Sequence, residues 1–334
     1  MIDHVFFGVL SNNAINAAGV VYLLAFVAFA SDLAISRTRS SSVRERELVA
    51  ADGATVPAAG ADTSAVSGDT GGSTGSAERA ERAELAGRIG MALTVLATAI
   101  HLVAVVARGL ANDPVRVPWG NMYEFTITAS FVVSLTFLLL VRRFSLRWLG
   151  VVVTGFQLVV LMAAVVGLYL PAAPLTPALD SPWLVIHVVA AIIATGVFTL
   201  GGMFSILYLV RERAEKRGTL KPGGFLSRVP DLRTLDRLSY RMHAIGFPVW
   251  TFGALIAGPI WAQQAWTRYW GWDPKEVWAF ITWVVYAAYL HARATAGWKG
   301  QAAAIVALVG LATLWFNFIG INYFFGTSIH SYAE

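Results

Sequence analysis

The chain has 334 residues, of which 57% are hydrophobic and only 13% are charged, and its mean hydropathy is +0.62. This composition excludes an ordinary soluble globular protein and indicates a membrane protein with several spans. Cysteine is absent, which excludes disulfides, thiolate metal sites and thiol redox chemistry by this chain. The net charge of +5 does not indicate nucleic-acid binding, because the basic residues lie between apolar runs, as membrane topology explains.

Eight apolar segments are long enough to cross a bilayer as helices, since one span needs about 20 apolar residues. The sequence therefore predicts an all-α polytopic membrane protein with about eight transmembrane helices. The predicted spans are 9–31, 88–109, 120–141, 148–170, 183–210, 243–265, 275–293 and 301–323. The N-terminal segment lacks a basic region and a clear cleavage site, so we expect the first span to be retained.

The segment between the first two spans differs in composition from the rest of the chain. Its core is rich in Ala, Gly, Ser and Thr and has almost nothing to bury, which is typical of disorder. The predicted organisation is a first transmembrane helix at 1–31, a disordered cytoplasmic loop at 32–87 and a membrane domain at 88–334. Residues 76–88 are predicted to extend the second helix as a short amphipathic stub.

The distribution of basic residues predicts the orientation of the spans. One alternate set of connecting segments carries 21 of the 25 Lys and Arg residues. These segments are 32–88, 142–147, 211–242 and 293–300. By the positive-inside rule they are cytoplasmic, so both termini are expected on the outer side. The remaining four basic residues are Arg108, Arg116, Arg268 and Lys275.

A tryptophan-rich segment, 261–276 (WAQQAWTRYWGWDPKE), lies on the predicted outer side and is called the Trp loop below. Asp273, Pro274 and Glu276 match a helix N-cap, a first helical proline and a capping box, so we expect this loop to be ordered. Tryptophans also gather at membrane interfaces, but such a belt needs neither fixed spacing nor an acidic cap. The pattern therefore favours a binding surface over a simple belt.

The pattern W-T-R-Y-W-G-W-D at 266–273 resembles W-G-x-x-W-x-W-D, the WWD signature of membrane haem-handling proteins. The lead-in LDRLSYRMHAIGFPVWTFGALIAGPIWA and the continuation DPKEVWAFITWVVYAAYLHAR resemble the CcsA/ResC family of cytochrome c biogenesis, whose actinobacterial members are often called CcsB. The resemblance is dense over 183–334 and thinner over 88–170. One position departs from the pattern, since Thr267 stands where the family usually has Gly.

Two histidines on the predicted outer side suit the iron of haem. Neutral imidazoles are good axial ligands and indoles pack against a porphyrin face, although a histidine near a span can equally bond a backbone carbonyl. The resemblance implies that His187 and His330 are the axial ligands of an outer haem, and that His291 binds haem within the membrane. The other residues expected to bind haem b are Trp266, Trp270, Trp272, Asp273, Arg268 and Lys275.

Three further polar residues in or near the spans keep open roles. His243 lies near the predicted height of His291 and is either a second ligand there or a polar packing residue. His101 lies within the second span, where function and polar packing are both open. Glu124 begins the third span in a segment similar to one in the family, and its function does not follow from the pattern.

The resemblance implies a cell-membrane protein that moves haem outward and presents it for covalent attachment to apocytochrome c. The expected partners are a ResB-like membrane subunit, haem, the lipid bilayer and an apocytochrome c with a C-x-x-C-H motif, and not nucleic acid. With the ResB-like subunit it would form a holocytochrome c synthase, or haem lyase, complex of the system II pathway. The alternatives are a CcmC-like haem exporter or chaperone, and a transporter or quinone-binding subunit whose aromatic loop is only a belt.

Overall fold

The computed structural model describes residues 3–53, 70–144, 146–172, 181–221 and 224–325. All regular structure in these ranges is helical, which confirms the predicted all-α class. The helices are α1 (His4–Gly53), α2 (Thr70–Leu110), α3 (Met122–Val141), α4 (Gly150–Gly167), α5 (Pro182–Lys216), α6 (Phe225–Arg228), α7 (Leu232–Phe252), α8 (Gly258–Trp266), α9 (Pro274–Thr295), α10 (Gln301–Trp315) and α11 (Ile321–Phe324). A 3₁₀ turn, Leu146–Leu149, precedes α4, and π turns join α7 to α8 (Gly253–Ala257) and α10 to α11 (Phe316–Gly320).

Seven helical segments of the described residues are long and apolar enough to cross a membrane, close to the eight predicted, so this is a multi-pass membrane protein. The predicted span 275–293 is present as α9, with 22 residues, but is not among the seven. Its tryptophans, tyrosines, His291 and Arg293 lower its apolar character, because such residues prefer the membrane interface to the hydrocarbon core.

Helix covers both flanks of the segment for which the sequence predicts a disordered loop. α1 continues through 32–53 and α2 begins at Thr70, so the predicted stub at 76–88 is part of α2. The parts of these flanks at 44–51 and 77–87 are rich in Ala, Glu, Arg and Leu, which are strong helix formers. Helix thus stands at 32–53 and 70–75, where the sequence predicts a loop, and the predicted stub at 76–88 is helical. Residues 54–69 lie outside the described residues.

α5 lies at the centre of the bundle. Its residue Phe204 packs in one apolar cluster with Phe137 of α3 and Leu235 of α7. Its residue Phe198 stacks on Tyr286 of α9, with ring centroids 4.0 Å apart, in a second cluster that α7 and α10 complete. A third cluster joins α1 to α4. Because other helices surround α5, a polar side chain near its start enters the space between them.

Ion pairs hold the helices together at the end of the bundle opposite the Trp loop. Arg293 of α9 contacts Asp236 of α7 at 2.6 Å, and Asp236 also accepts a hydrogen bond from the backbone N–H of Gly300 before α10. Arg228 of α6 contacts Asp32 of α1 at 3.0 Å. These contacts connect the first helix to the later part of the chain.

Candidate functional site

A cavity lies at the end of the bundle that carries the Trp loop. Its empty volume is about 1190 Å³, including the space at its mouth. Four tryptophans line it, namely Trp119, Trp250, Trp261 and Trp270. Its polar or ionisable members are Asn121, His187, Thr195, Tyr269, Lys275, Glu276 and Asn317. An aromatic wall with a few polar groups is typical of a site for a flat, largely apolar ligand.

His187 has a defined orientation on the wall of this cavity. Ser181 caps α5 by accepting a hydrogen bond from the N–H of Trp183 at 3.2 Å, and Pro182 takes the first helical position, which places His187 in the second turn. Its Nδ1 donates to the carbonyl oxygen of Gly253 at 2.8 Å. A neutral imidazole that donates from Nδ1 carries its lone pair on Nε2, the arrangement that a ligand of iron needs.

The surroundings of His187 leave its ring little freedom. The ring stacks on Trp261, with centroids 5.8 Å apart and planes 19° apart. A Cβ atom at Gly258 would lie 3.0 Å from Nδ1, so this position has little room for a side chain. The carbonyl that accepts from His187 belongs to the π turn Gly253–Ala257, and such turns frequently occur at functional sites.

The Trp loop is ordered by the predicted capping box. The Asp273 carboxylate accepts a hydrogen bond from the N–H of Lys275 at 3.0 Å. The Glu276 carboxylate accepts from the N–H groups of Asp273 at 3.1 Å and Gly271 at 2.7 Å. Asp273 therefore acts on the loop through the start of α9, and it is absent from the cavity lining.

Thr267 ends α8 in the left-handed region, with φ 57° and ψ 22°. A residue with a Cβ atom is disfavoured there, and glycine is not. This conformation explains why the pattern that the sequence resembles has Gly at this position.

Thr267→Gly should therefore raise the thermal stability of the protein, by roughly 1 kcal/mol, because it relieves the left-handed strain. Arg268→Gly is the matched control, since the adjacent residue is exposed and has no positive φ; it should lower stability slightly. Thermal unfolding in detergent measures both. Destabilisation by both glycines to the same extent would contradict the argument.

A fully buried carboxylate, Glu124, lies next to the cavity wall at the start of α3. Its two oxygens contact the guanidinium groups of Arg108 and Arg116, each at 2.9 Å. Arg108 is 1% exposed and Glu124 is 0% exposed. Arg108 also donates to the carbonyl oxygen of Leu170 at 2.5 Å, so this buried charge is paired and hydrogen-bonded, as it must be to be tolerated.

The same carboxylate positions one wall of the cavity. The segment 116–120, called the strap, carries Trp119 into the lining. The N–H of Gly120 donates to Glu124 at 2.9 Å, and the hydroxyl of Thr128 donates to the carbonyl oxygen of Pro118 at 3.0 Å. Glu124 is thus a positioning residue for the strap. Its function does not follow from the sequence pattern, because it depends on contacts with Arg108, Arg116 and Gly120 in the folded chain.

A family model described as "Cytochrome C assembly protein" matches residues 119–329. The chain belongs to this family. It is 39% identical over 224 residues to the cytochrome c biogenesis protein CcsA of Chlamydomonas reinhardtii, over 65% of this chain and 61% of that protein. The CcsA protein of Guillardia theta is 36% identical over 261 residues, which cover 73% of this chain and 85% of that protein. These similarities confirm the resemblance that the Trp loop and its flanks predict.

The fold of this cytochrome c assembly protein is also similar to a solved structure, "Cytochrome c Heme Lyase CcmF". The TM-score is 0.52 at 16% sequence identity, and the match covers 93% of this chain and 46% of that chain. At this identity the similarity concerns the fold alone. Every residue that lines the cavity lies within 119–329, so the cavity belongs to the part of the chain that matches the family.

The structure divides the predicted haem-binding residues of the Trp loop into two groups. Trp270 and Lys275 line the cavity, as does His187. Trp266 packs behind the wall, edge to face with Trp261 at 4.8 Å between centroids. Trp272 is 72% exposed and packs edge to face with Trp270.

Arg268, expected to bind haem, is exposed and absent from the lining. Its guanidinium lies against Gly271, where an added Cβ would meet it at 2.5 Å. Of the two cations predicted beside the haem, the structure thus places only Lys275 in the cavity. His330 lies outside the described residues.

The two histidines near the other end of the bundle do not converge. His291 is exposed on α9, roughly 25 Å along the helix from Pro274 at the rise of an α-helix. His243 is 0% exposed, its Nδ1 donates to the carbonyl oxygen of Ser239 at 2.7 Å, and its ring packs against Tyr286 and Tyr289 on the buried face of α9. His243 is therefore in polar packing on the buried side of α9, whereas His291 is on the exposed side.

His101 is also a buried packing residue. Its Nε2 donates to the carbonyl oxygen of Ile127 at 2.9 Å, and its ring contacts Tyr22 and Phe131 edge to face. Sequence reasoning missed the cavity residues Trp119, Trp250 and Asn317. Trp119 had a signal, a tryptophan two residues before the N-cap Asn121, whereas Trp250 and Asn317 lie inside spans without a local pattern.

Proposed function

We propose that this protein holds haem as its cargo in the cavity and presents it for covalent attachment to apocytochrome c. The observation that carries the proposal is His187, oriented by the Gly253 carbonyl on the wall of a cavity with four tryptophans. An imidazole with its lone pair on Nε2 suits an axial position on iron, and indoles suit the faces of the macrocycle. Family membership supports a role in cytochrome c assembly.

Each residue of the site has a separate role in this proposal. His187 is one axial ligand and His330, in the outer tail, is the other. Trp270 packs against the macrocycle, and Lys275 lies near a propionate carboxylate of haem. Asp273 keeps the Trp loop in place. Trp266 and Trp272 support the lining from behind and from the rim, where Arg268 also lies.

The covalent chemistry takes its thiols from the substrate, because this chain has no cysteine. Each cysteine S–H of the C-x-x-C-H motif adds across a haem vinyl group, with a C–S bond formed and the hydrogen transferred to the other vinyl carbon. Haem b is the form with both vinyl groups intact. The reaction is proposed to occur on the outer face of the cell membrane, in a holocytochrome c synthase complex with a ResB-like subunit.

His291 belongs to a second site in this proposal, where haem pauses while crossing the membrane. Its exposed position on α9 suits a site shared with another subunit. His243 is buried on the other side of that helix, so the second ligand is proposed to come from the ResB-like partner.

An absorbance spectrum tests the proposed function against the transporter or quinone-binding alternative. Protein purified after haem-replete expression should carry a Soret band of haem with two histidine ligands. A colourless protein that also fails to bind added haem would refute the proposal. A haem-loaded protein that still matures no cytochrome c when joined by a ResB-like subunit would favour the CcmC-like alternative.

Trp270→Ala should weaken haem binding roughly fivefold or more, since aromatic packing contributes about 1 kcal/mol per ring beyond the buried area. Trp148→Ala is the control, because Trp148 packs on Phe204 and neither residue lines the cavity. Titration of haem into the purified variants measures both affinities. Equal losses in the two variants would indicate a general effect of tryptophan removal on the fold.

A further inference from the structure

The end of α10 departs from regular α-helix beside the cavity. The residues Phe316–Gly320 form a π turn. Two residues of this turn, Asn317 and Phe318, line the cavity. The π turn Gly253–Ala257, which supplies the carbonyl that orients His187, borders the same cavity. Since π turns often occur at functional sites, the second one also requires an account.

Two polar atoms in the lining have no hydrogen-bond partner among the described residues. They are Oδ1 of Asn317 and Nε1 of Trp270, and both are buried. A buried polar atom without a partner is destabilising, so a ligand in the cavity that bonds to these two groups would remove that cost. Asn322, one turn further on, differs in donating to the carbonyl oxygen of Phe318 at 2.6 Å and to the Met122 sulfur at 2.8 Å.

The chemistry of the lining favours a carboxylate as the group that bonds there. The indole N–H of Trp270 is a donor only, and a carboxamide presents its NH₂ group when it turns about its last bond. Lys275 adds an amine to the same lining. Burial lowers its pKa to about 7, and an anionic group beside it would favour the charged form. The one carboxylate of the wall, Glu276, already accepts from two backbone N–H groups. Hydrogen-bond donors and an amine that an anion would keep protonated, set among aromatic rings, match an apolar ligand with an anionic edge.

We propose that Asn317 and Trp270 bind a propionate carboxylate of haem and so determine which edge of the macrocycle enters the cavity. This rests on the proposed function. Haem carries its two propionates on one edge and its two vinyl groups towards the other. Holding the carboxylate edge with Asn317 leaves the vinyl edge for the cysteines of the substrate. Asn317 is then a specificity-determining residue of the site.

Haem and its dimethyl ester, which lacks the two negative charges, distinguish this role from packing. The wild-type protein should bind haem about tenfold more tightly than its dimethyl ester, because hydrogen bonds to a charged carboxylate are stronger than those to a neutral ester. Asn317→Leu, of similar volume, should reduce that preference to roughly threefold or less, mainly by lowering the affinity for haem. Trp270→Phe, which keeps a ring but removes the N–H, should reduce it as well. Titrations followed at the Soret band give both affinities.

Two further variants protect the test from effects on folding. Asn322→Leu removes a carboxamide of the same segment that bonds within the protein, and it should keep the wild-type preference. Asn317→Asp places a negative charge against the propionate, so it should weaken the binding of haem far more than the binding of the ester. This variant keeps the test valid if Asn317→Leu folds poorly.

The outcomes separate this inference from the function on which it rests. A wild-type protein that binds both ligands equally, or an Asn317→Leu variant with the full wild-type preference, overturns the role of Asn317 and leaves haem handling intact. A wild-type protein that binds neither ligand overturns the proposed function and this inference with it.

Discussion

His187→Ala should lower haem retention at least tenfold and leave the remaining haem with one protein ligand. Removing groups that merely orient a metal ligand typically costs 10–100-fold in affinity, so removing the ligand should cost no less. The purified variant should lose the low-spin spectrum of bis-histidine haem. Added imidazole should restore part of that spectrum and part of cytochrome c maturation, because a free ligand can fill the vacant position on iron.

His291→Ala is the matched control for this result. His291 is exposed near the opposite end of α9, so its loss should lower the amount of haem that reaches the cavity without changing the ligands of the haem that does. Imidazole should have no effect on its spectrum. An unchanged low-spin spectrum in His187→Ala would mean that another residue ligates the iron, and the proposed site would have to be abandoned.

Glu124→Leu should destabilise the protein by about 3–5 kcal/mol, the usual cost of removing one partner from a buried ion pair. Glu124 is the carboxylate between Arg108 and Arg116, so its loss leaves two guanidinium groups near an apolar core. The strap that carries Trp119 also loses its hydrogen bond from Gly120. Haem binding should therefore fall together with the midpoint of thermal unfolding, although Glu124 is absent from the cavity lining.

An exposed ion pair of the same protein provides the comparison. Glu84 contacts Arg147 at 2.7 Å, but its side chain is 60% exposed, and such pairs contribute roughly 0–1 kcal/mol. Glu84→Gln should leave both stability and haem binding close to wild type. The double variant Arg108→Met with Glu124→Leu should recover part of the lost stability, since the remaining buried charge is then reduced. Equal effects of the buried and exposed substitutions would contradict a positioning role for Glu124.

Features encoded by neighbouring residues were predictable from the sequence. The apolar runs predicted the helices, because spanning a bilayer depends on the length of one segment. The capping box at Asp273 and Glu276 was predictable because its hydrogen bonds join residues three positions apart. The short motif around His187 resembles a family pattern and predicts a site residue. The structure brings His187 to the same cavity as Trp270.

Local patterns were misleading where composition and position along the chain were the only guide. Composition predicts a loop at 32–87 with a helical stub only at its end, whereas helix also covers 32–53 and 70–75. The sequence predicts His243 and His291 at similar heights, and His243 packs on Tyr286 and Tyr289 of the helix that carries His291. A similar height does not fix the direction in which a side chain points. His243 packs on the buried face of α9, and His291 is exposed on the same helix.

The helical class, the family and the residues of the Trp loop follow from the amino-acid sequence alone. Which of them face the cavity depends on the fold, which places Lys275 in the lining and Arg268 on the surface. The donor nitrogen of His187, the partners of Glu124 and the place of Asn317 in the lining depend on the fold as well, because each involves groups from other helices. The carbonyl that orients His187 lies 66 positions away in the chain, at the π turn Gly253–Ala257.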